Sequence, residues 1–289
     1  MMFYRIQEYK TLFLRISLAY FFYFIARVLF YFYNSNIIII NSFSEFINLC
    51  LIGLTFDTSA ILYTNALFII ISLIPIKNNS KPFFQKGMFF LYFSTNILAY
   101  VTNYIDFIYY KFSQSRLTTT VFDLIENESN KSDLMSSFIV DYWHVFFLFF
   151  FFILLWIYFY NKIPFKFEKK PSDLKYYSFS FFWSLLVIFV CIIGVRGGLG
   201  NATRPINMVD AHRFVKKGIH ADFVLNSPFC LIRTYKKNYF KKKNFLMDSE
   251  INSIIKPIKK LNDSIYSKPN VVLIVMESFG REYIGTFNK

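Results

Sequence analysis

"WHVFFLFFFFILLWIYFY", residues Trp143 to Tyr160, carries no Lys, Arg, Asp or Glu and is apolar on every side of a helical projection. A helix of a soluble protein shows one apolar stripe and one polar face. This one has no polar face, so it has no side to turn to water. At 1.5 Å per residue it reaches about 27 Å, close to the thickness of a bilayer's hydrocarbon core. Its Trp and Tyr residues fall at the ends, where amphipathic rings favour the membrane interface. The segment is read as a membrane span.

The rest of the chain has a matching composition. Of 289 residues, 55% are hydrophobic and 22% aromatic, with 40 Phe and 21 Tyr, more apolar surface than a soluble domain of this length can hide. Four further stretches are long enough to cross, giving spans at about 12–33, 46–74, 83–110, 141–160 and 177–195. The first is too long for a cleaved leader, contains Arg15 and Arg27, and has no small-residue cleavage site after it. The net charge of +14 is accounted for by loops beside anionic headgroups, and nucleic acid is not an expected partner. Cys50, Cys191 and Cys230 have neither paired nor CxxC spacing, which argues against a disulfide framework or a zinc site.

Loop charge orients the spans. Arg5, Lys10 and Arg15, then Lys77, Lys81 and Lys86, then Lys162, Lys166, Lys169, Lys170 and Lys175 all fall on one side, against Lys111, Arg116 and Lys131 on the other. The positive-inside rule puts the amino terminus in the cytoplasm, and an odd number of crossings puts everything after about residue 196 outside. Inside or near the spans lie Arg27, Asp57, Asp106 and His144. Ionisable groups at membrane depth face a partner, a bundle interior or a watery cleft. Arg27 is placed to pair with Asp57 or Asp106, either as a pocket for a lipid headgroup or as an ion pair that locks helix packing.

Beyond the last span, "INMVDAHRFV" and "SPFCLIRTYKK" have short amphipathic patterns, expected to lie on an anionic membrane surface or to form a solvated linker. His212 and His220 have no carboxylate or cysteine at ligand spacing, so a metal site on them is not expected. A helix is expected from near Asp248 to Pro257. The strand "NVVLIVME" follows, apolar at consecutive positions as in a parallel sheet covered on both faces. It ends at Glu277. Ligands gather at the carboxyl ends of such strands, and a carboxylate beside Ser278 and a Gly-containing turn suits a divalent cation. An N-cap or a salt-bridged carboxylate is the plainer alternative.

"GLTFDTSA" in the second span, "RGGLGNATRPI" after the fifth, "VLNSPFCLIRT" and "KPNVVLIVMESFGREYIG" together resemble the lipoteichoic acid synthase-like family, in particular its sulfatase-domain members of the Bacteroidetes type. The resemblance implies a bacterial cytoplasmic-membrane protein in which a five-helix membrane domain carries an external α/β domain of the alkaline phosphatase superfamily. It implies a divalent metal, manganese above all, with Glu277 as a ligand, and a threonine nucleophile that takes a phosphate-linked group from a phospholipid or other envelope substrate. The nucleophile and remaining ligands would lie beyond Lys289; Thr286 does not match the nucleophile, and the Cys-x-Pro-x-Arg sequence of sulfatases is missing. The expected layout is therefore a mainly α chain: a transmembrane domain over 1–195, an external helical linker over 196–268 and the first strand of an incomplete sulfatase-like domain over 269–289, inactive by itself. The alternative is a non-catalytic five-span scaffold or lipid-binding subunit. The acceptor group and oligomeric state are left open.

Overall fold

The structure is a computed structural model that describes residues 5–76, 79–127, 137–165, 174–198, 204–235 and 272–273. The chain falls into two units, Met1–Lys237 and Asn238–Lys289. In the second, the described residues Val272 and Leu273 are exposed and without regular structure. The helix expected from Asp248 and Glu277 itself lie outside the described residues, as does most of the strand expected before Glu277.

The first unit is helical throughout its described part. Its elements are α1 (Ile6–Tyr33), α2 (Phe43–Thr64), α3 (Ala66–Leu73), α4 (Pro82–Ser113), α5 (Thr120–Asn127), α6 (Trp143–Lys162), α7 (Leu174–Arg196), the 3₁₀ turn η1 (Met208–Arg213), α8 (Gly218–Val224) and α9 (Ser227–Thr234). Among the described residues four helices are long and apolar enough to cross a membrane: Ile6–Tyr33, Phe43–Thr64, Trp143–Lys162 and Tyr176–Arg196. That is consistent with a membrane protein. The expected third span corresponds to α4, which at 32 residues reaches about 48 Å but is less apolar, because Asn96, Asn103 and Asp106 interrupt its buried face.

The expected second span, 46–74, is two helices. The break falls at Asn65, whose side chain donates to the Ile61 carbonyl and exchanges two amide hydrogen bonds with Asn96 of α4, at 3.1 and 2.7 Å. A side-chain amide that bonds its own backbone competes with the helical ladder. α2 starts on Ser42, whose hydroxyl accepts from the Glu45 amide at 3.1 Å. α4 starts with Pro82 in its first turn, where a missing N–H costs nothing.

Side-chain contacts fix the helix directions. Arg15 meets Tyr92, Phe22 meets Tyr100 and Phe30 meets Tyr110, so α1 and α4 run parallel. Tyr33 stacks on His144 and Phe22 on Trp156, so α6 runs opposite to α1. Tyr31 against Phe46 and Arg27 against Asp57 make α2 antiparallel to α1 as well. Ser184 donates to the Leu73 carbonyl and the Val195 carbonyl accepts from Ser59, so α7 runs opposite to α2 and α3 and parallel to α1, where Tyr9 packs on Trp183. The core is aromatic. Trp156 is fully buried, stacks on Phe22 at 4.6 Å and donates to the Tyr92 hydroxyl, which in turn donates to the Arg15 carbonyl. Buried aromatic N–H and O–H groups need such partners.

Candidate functional site

The residues singled out in the spans meet at the end of the bundle where α1 finishes and α2 begins. Arg27 and Asp57 are each about 2% exposed and pair at 2.5 Å. Asp106 does not pair with Arg27. Its partner is Arg116, at 2.9 Å, with both side chains again almost completely buried. Sequence reading counted Arg116 as a loop charge; the chain after α4 turns back so that the guanidinium re-enters the bundle and lies 3.5 Å from the centre of the Phe30 ring.

These two ion pairs grip the segment that follows α7. Arg27 donates to the carbonyl oxygens of Phe223, Leu225 and Gly53. Arg116 donates to those of Asp222, at 2.6 Å, and Leu225, at 2.7 Å. The last carbonyls of a helix have no partner within the helix and carry its negative dipole end, so two cations there satisfy and stabilise α8. Asn226 and Ser227 complete the clasp. The Asn226 amide donates to Asp57 at 2.7 Å while its oxygen caps α9 by accepting from the Phe229 amide; the Ser227 hydroxyl donates to Asp106 at 2.7 Å. Between them these groups supply the hydrogen bonds that two desolvated carboxylates need.

The segment Gly218–Thr234 is thus inserted between helix ends. It does not lie flat on a membrane surface, which was the preferred expectation. Phe223, Val224, Phe229 and Cys230 are fully buried, against α1, α2 and α4, and this apolar area holds the segment inside. Arg233 turns to Tyr63, Ser59 and the Val195 carbonyl. Burial pushes the Cys230 thiol well up, so it is not poised as a nucleophile. His220 donates to the Ile39 carbonyl and lies 3.7 Å from Glu45, while His212 sits in η1; the two do not share a site. Among the described residues no three His, Cys, Asp or Glu side chains cluster as metal ligands.

Sequence reasoning missed Asn226, Ser227 and Arg116. A signal existed for the first two: Asn-Ser-Pro before an apolar run marks a helix start. Compared with known proteins, the chain matches no family model, no curated protein and no solved structure.

Proposed function

We propose that residues 1–235 form a five-crossing membrane platform, with the amino terminus in the cytoplasm and the α8–α9 segment on the external side, and that this platform anchors an envelope enzyme of the sulfatase-like phosphotransferase or hydrolase class. The observation that carries the reading is the meeting of two stretches behind the resemblance. Gly53, Asp57 and Ser59 of "GLTFDTSA" touch Arg27, Asn226 and Arg233, and "VLNSPFCLIRT" supplies Asn226 and Arg233. Helix directions support five crossings, since α7 runs parallel to α1 only if an odd number of crossings separates them, and α2, α4 and α6 make three. α4, parallel to α1, supplies the third of the five.

In this reading the two ion pairs fix the exit of the chain from the bundle, so that whatever follows residue 235 starts from a rigid point at the membrane face. The metal would be manganese or a similar divalent ion, held in part by Glu277, and would neutralise charge on a phosphoryl group during transfer. The test is the side of the membrane on which a reporter fused after Tyr235 appears: an external reporter supports the reading, and one that faces the cytosol sinks it. One observation favours the non-catalytic scaffold: Arg27, Asp57, Asp106 and Arg116 are all engaged with internal partners, which suits a locking role and leaves none of them for a headgroup.

A further inference from the structure

Among the described residues four arginines are buried: Arg5, Arg15, Arg27 and Arg116. Three have a carboxylate, Glu8, Asp57 and Asp106 respectively. Arg15 has none. Only 7% exposed, it donates through Nη2 to Gln85 Oε1 at 3.2 Å and lies 4.4 Å from the centre of the Tyr160 ring, while its Nε has no hydrogen-bond partner. A neutral amide and an aromatic face do not offset the desolvation of a full charge.

Arg15 borders a small pocket of about 20 Å³, where Glu8, Thr11, Asn79 and Gln85 stand among apolar residues such as Phe68 and Met88. The Glu8 carboxylate is committed to Arg5, through a 2.6 Å bond to its Nε. Counting Arg5, Arg15 and Glu8, the surroundings keep one positive charge in excess. Asn79 contributes an amide whose oxygen has no partner, and a half-turn of that amide offers its N–H to an anion. The volume admits one water-sized atom. The pocket lies where α1 begins, α3 ends and α4 begins, at the end of the membrane helices, within reach of a headgroup.

We propose that this pocket binds a phosphate oxyanion, taking one phosphoryl oxygen onto the Arg15 guanidinium while the rest of the group stays at the mouth. The phosphate comes either from a phospholipid of the leaflet on the amino-terminal side or from inorganic phosphate on that side. An arginine fork matches that ligand better than a point charge does.

The full chain purified in detergent tests this by native mass spectrometry and thermal melting, with dioleoylphosphatidic acid, dioleoylglycerol and sodium phosphate as probes. The wild type is expected to retain phosphatidic acid over dioleoylglycerol by roughly tenfold or more, and R15Q to lose that preference. Stabilisation by sodium phosphate of the wild type but not R15Q, without lipid preference, assigns the site to the free ion; lipid preference alone assigns it to a headgroup. Neither effect in the wild type, or equal effects in R15Q, overturns the proposal. Should R15Q fail to fold, R15K keeps the charge without the fork: a several-fold weaker preference supports the assignment, and one equal to the wild type's overturns it. R233Q, at the opposite end of the bundle, leaves the preference intact; its loss there would place the phosphate elsewhere and refute the Arg15 site.

Discussion

The two ends of the bundle bury arginine in different ways. At the end where α1 begins, Arg5 caps α3 by donating to the carbonyls of Ser72 and Leu73 at 3.0 and 2.7 Å and pairs with Glu8, while Arg15 has no carboxylate. At the other end each arginine has its own aspartate, and both converge on the Leu225 carbonyl. A closed set, one whose charges are balanced by their own counterions, acts on packing. An unbalanced set is completed from outside. The aspartate-paired end is therefore read as structure, and the Arg15 end as a place for a ligand.

Removing one member of the closed set tests this most severely. D57A leaves Arg27 buried beside no anion and should cost about 3–5 kcal/mol, because the uncompensated charge costs more than the pair itself contributed. The double variant D57A/R27M removes both charges and should recover most of that loss in thermal or denaturant unfolding of the purified protein. A double variant as unstable as D57A would show that the pair does more than balance charge. That logic has no counterpart at the opposite end, since among the described residues Arg15 has no paired carboxylate whose removal would strand it.

Gly53→Ala comes next. A Cβ at Gly53 would stand 2.5 Å from Arg27 Cζ, and the guanidinium has no room to retreat, being bonded on both sides to Asp57 and to the α8 carbonyls. The expected loss is about 1–3 kcal/mol. Proteolysis within 218–235 should rise in step, because the same displacement releases α8. N226A is expected to cost about 1–2 kcal/mol by removing the cap of α9 together with a donor to Asp57. If N226A melts like the wild type, the clasp is held by apolar burial alone.

Much of the fold was legible because lipid simplifies the problem: an apolar run such as Trp143–Tyr160 has one stable outcome, a spanning helix. The break at Asn65 was not, because it depends on an amide pair with Asn96 that no local pattern announces. In the candidate site, Arg27 and Asp57 were legible as costly charges that need each other. Arg116 was not, since a charge in a polar loop reads as solvated until the chain is seen to fold back onto Asp106. The short segments around Phe223 and Phe229 have an amphipathic period that fits a membrane surface and a protein groove equally well, and tertiary contact decided between them.

Asp222 gives the finest test of the closed end. It lies in α8, outside the membrane-spanning helices, accepts from the Tyr110 hydroxyl at 3.0 Å, and offers its carbonyl to Arg116. Burial raises its carboxyl above the ordinary carboxylate range, with Arg116 and the Tyr110 bond pulling the other way. A raised acid takes up a proton on folding, so the docked segment is most stable below the ordinary carboxylate pKa and loses stability as pH rises through that value to the folded one. D222N removes this dependence while keeping an acceptor for Tyr110. Its melting temperature should therefore fall less than the wild type's across that window, by the smallest margin of the variants considered. Parallel curves for the two proteins would mean that Arg116 and Tyr110 already compensate Asp222 in full, and the closed set would then extend beyond the two ion pairs to include it.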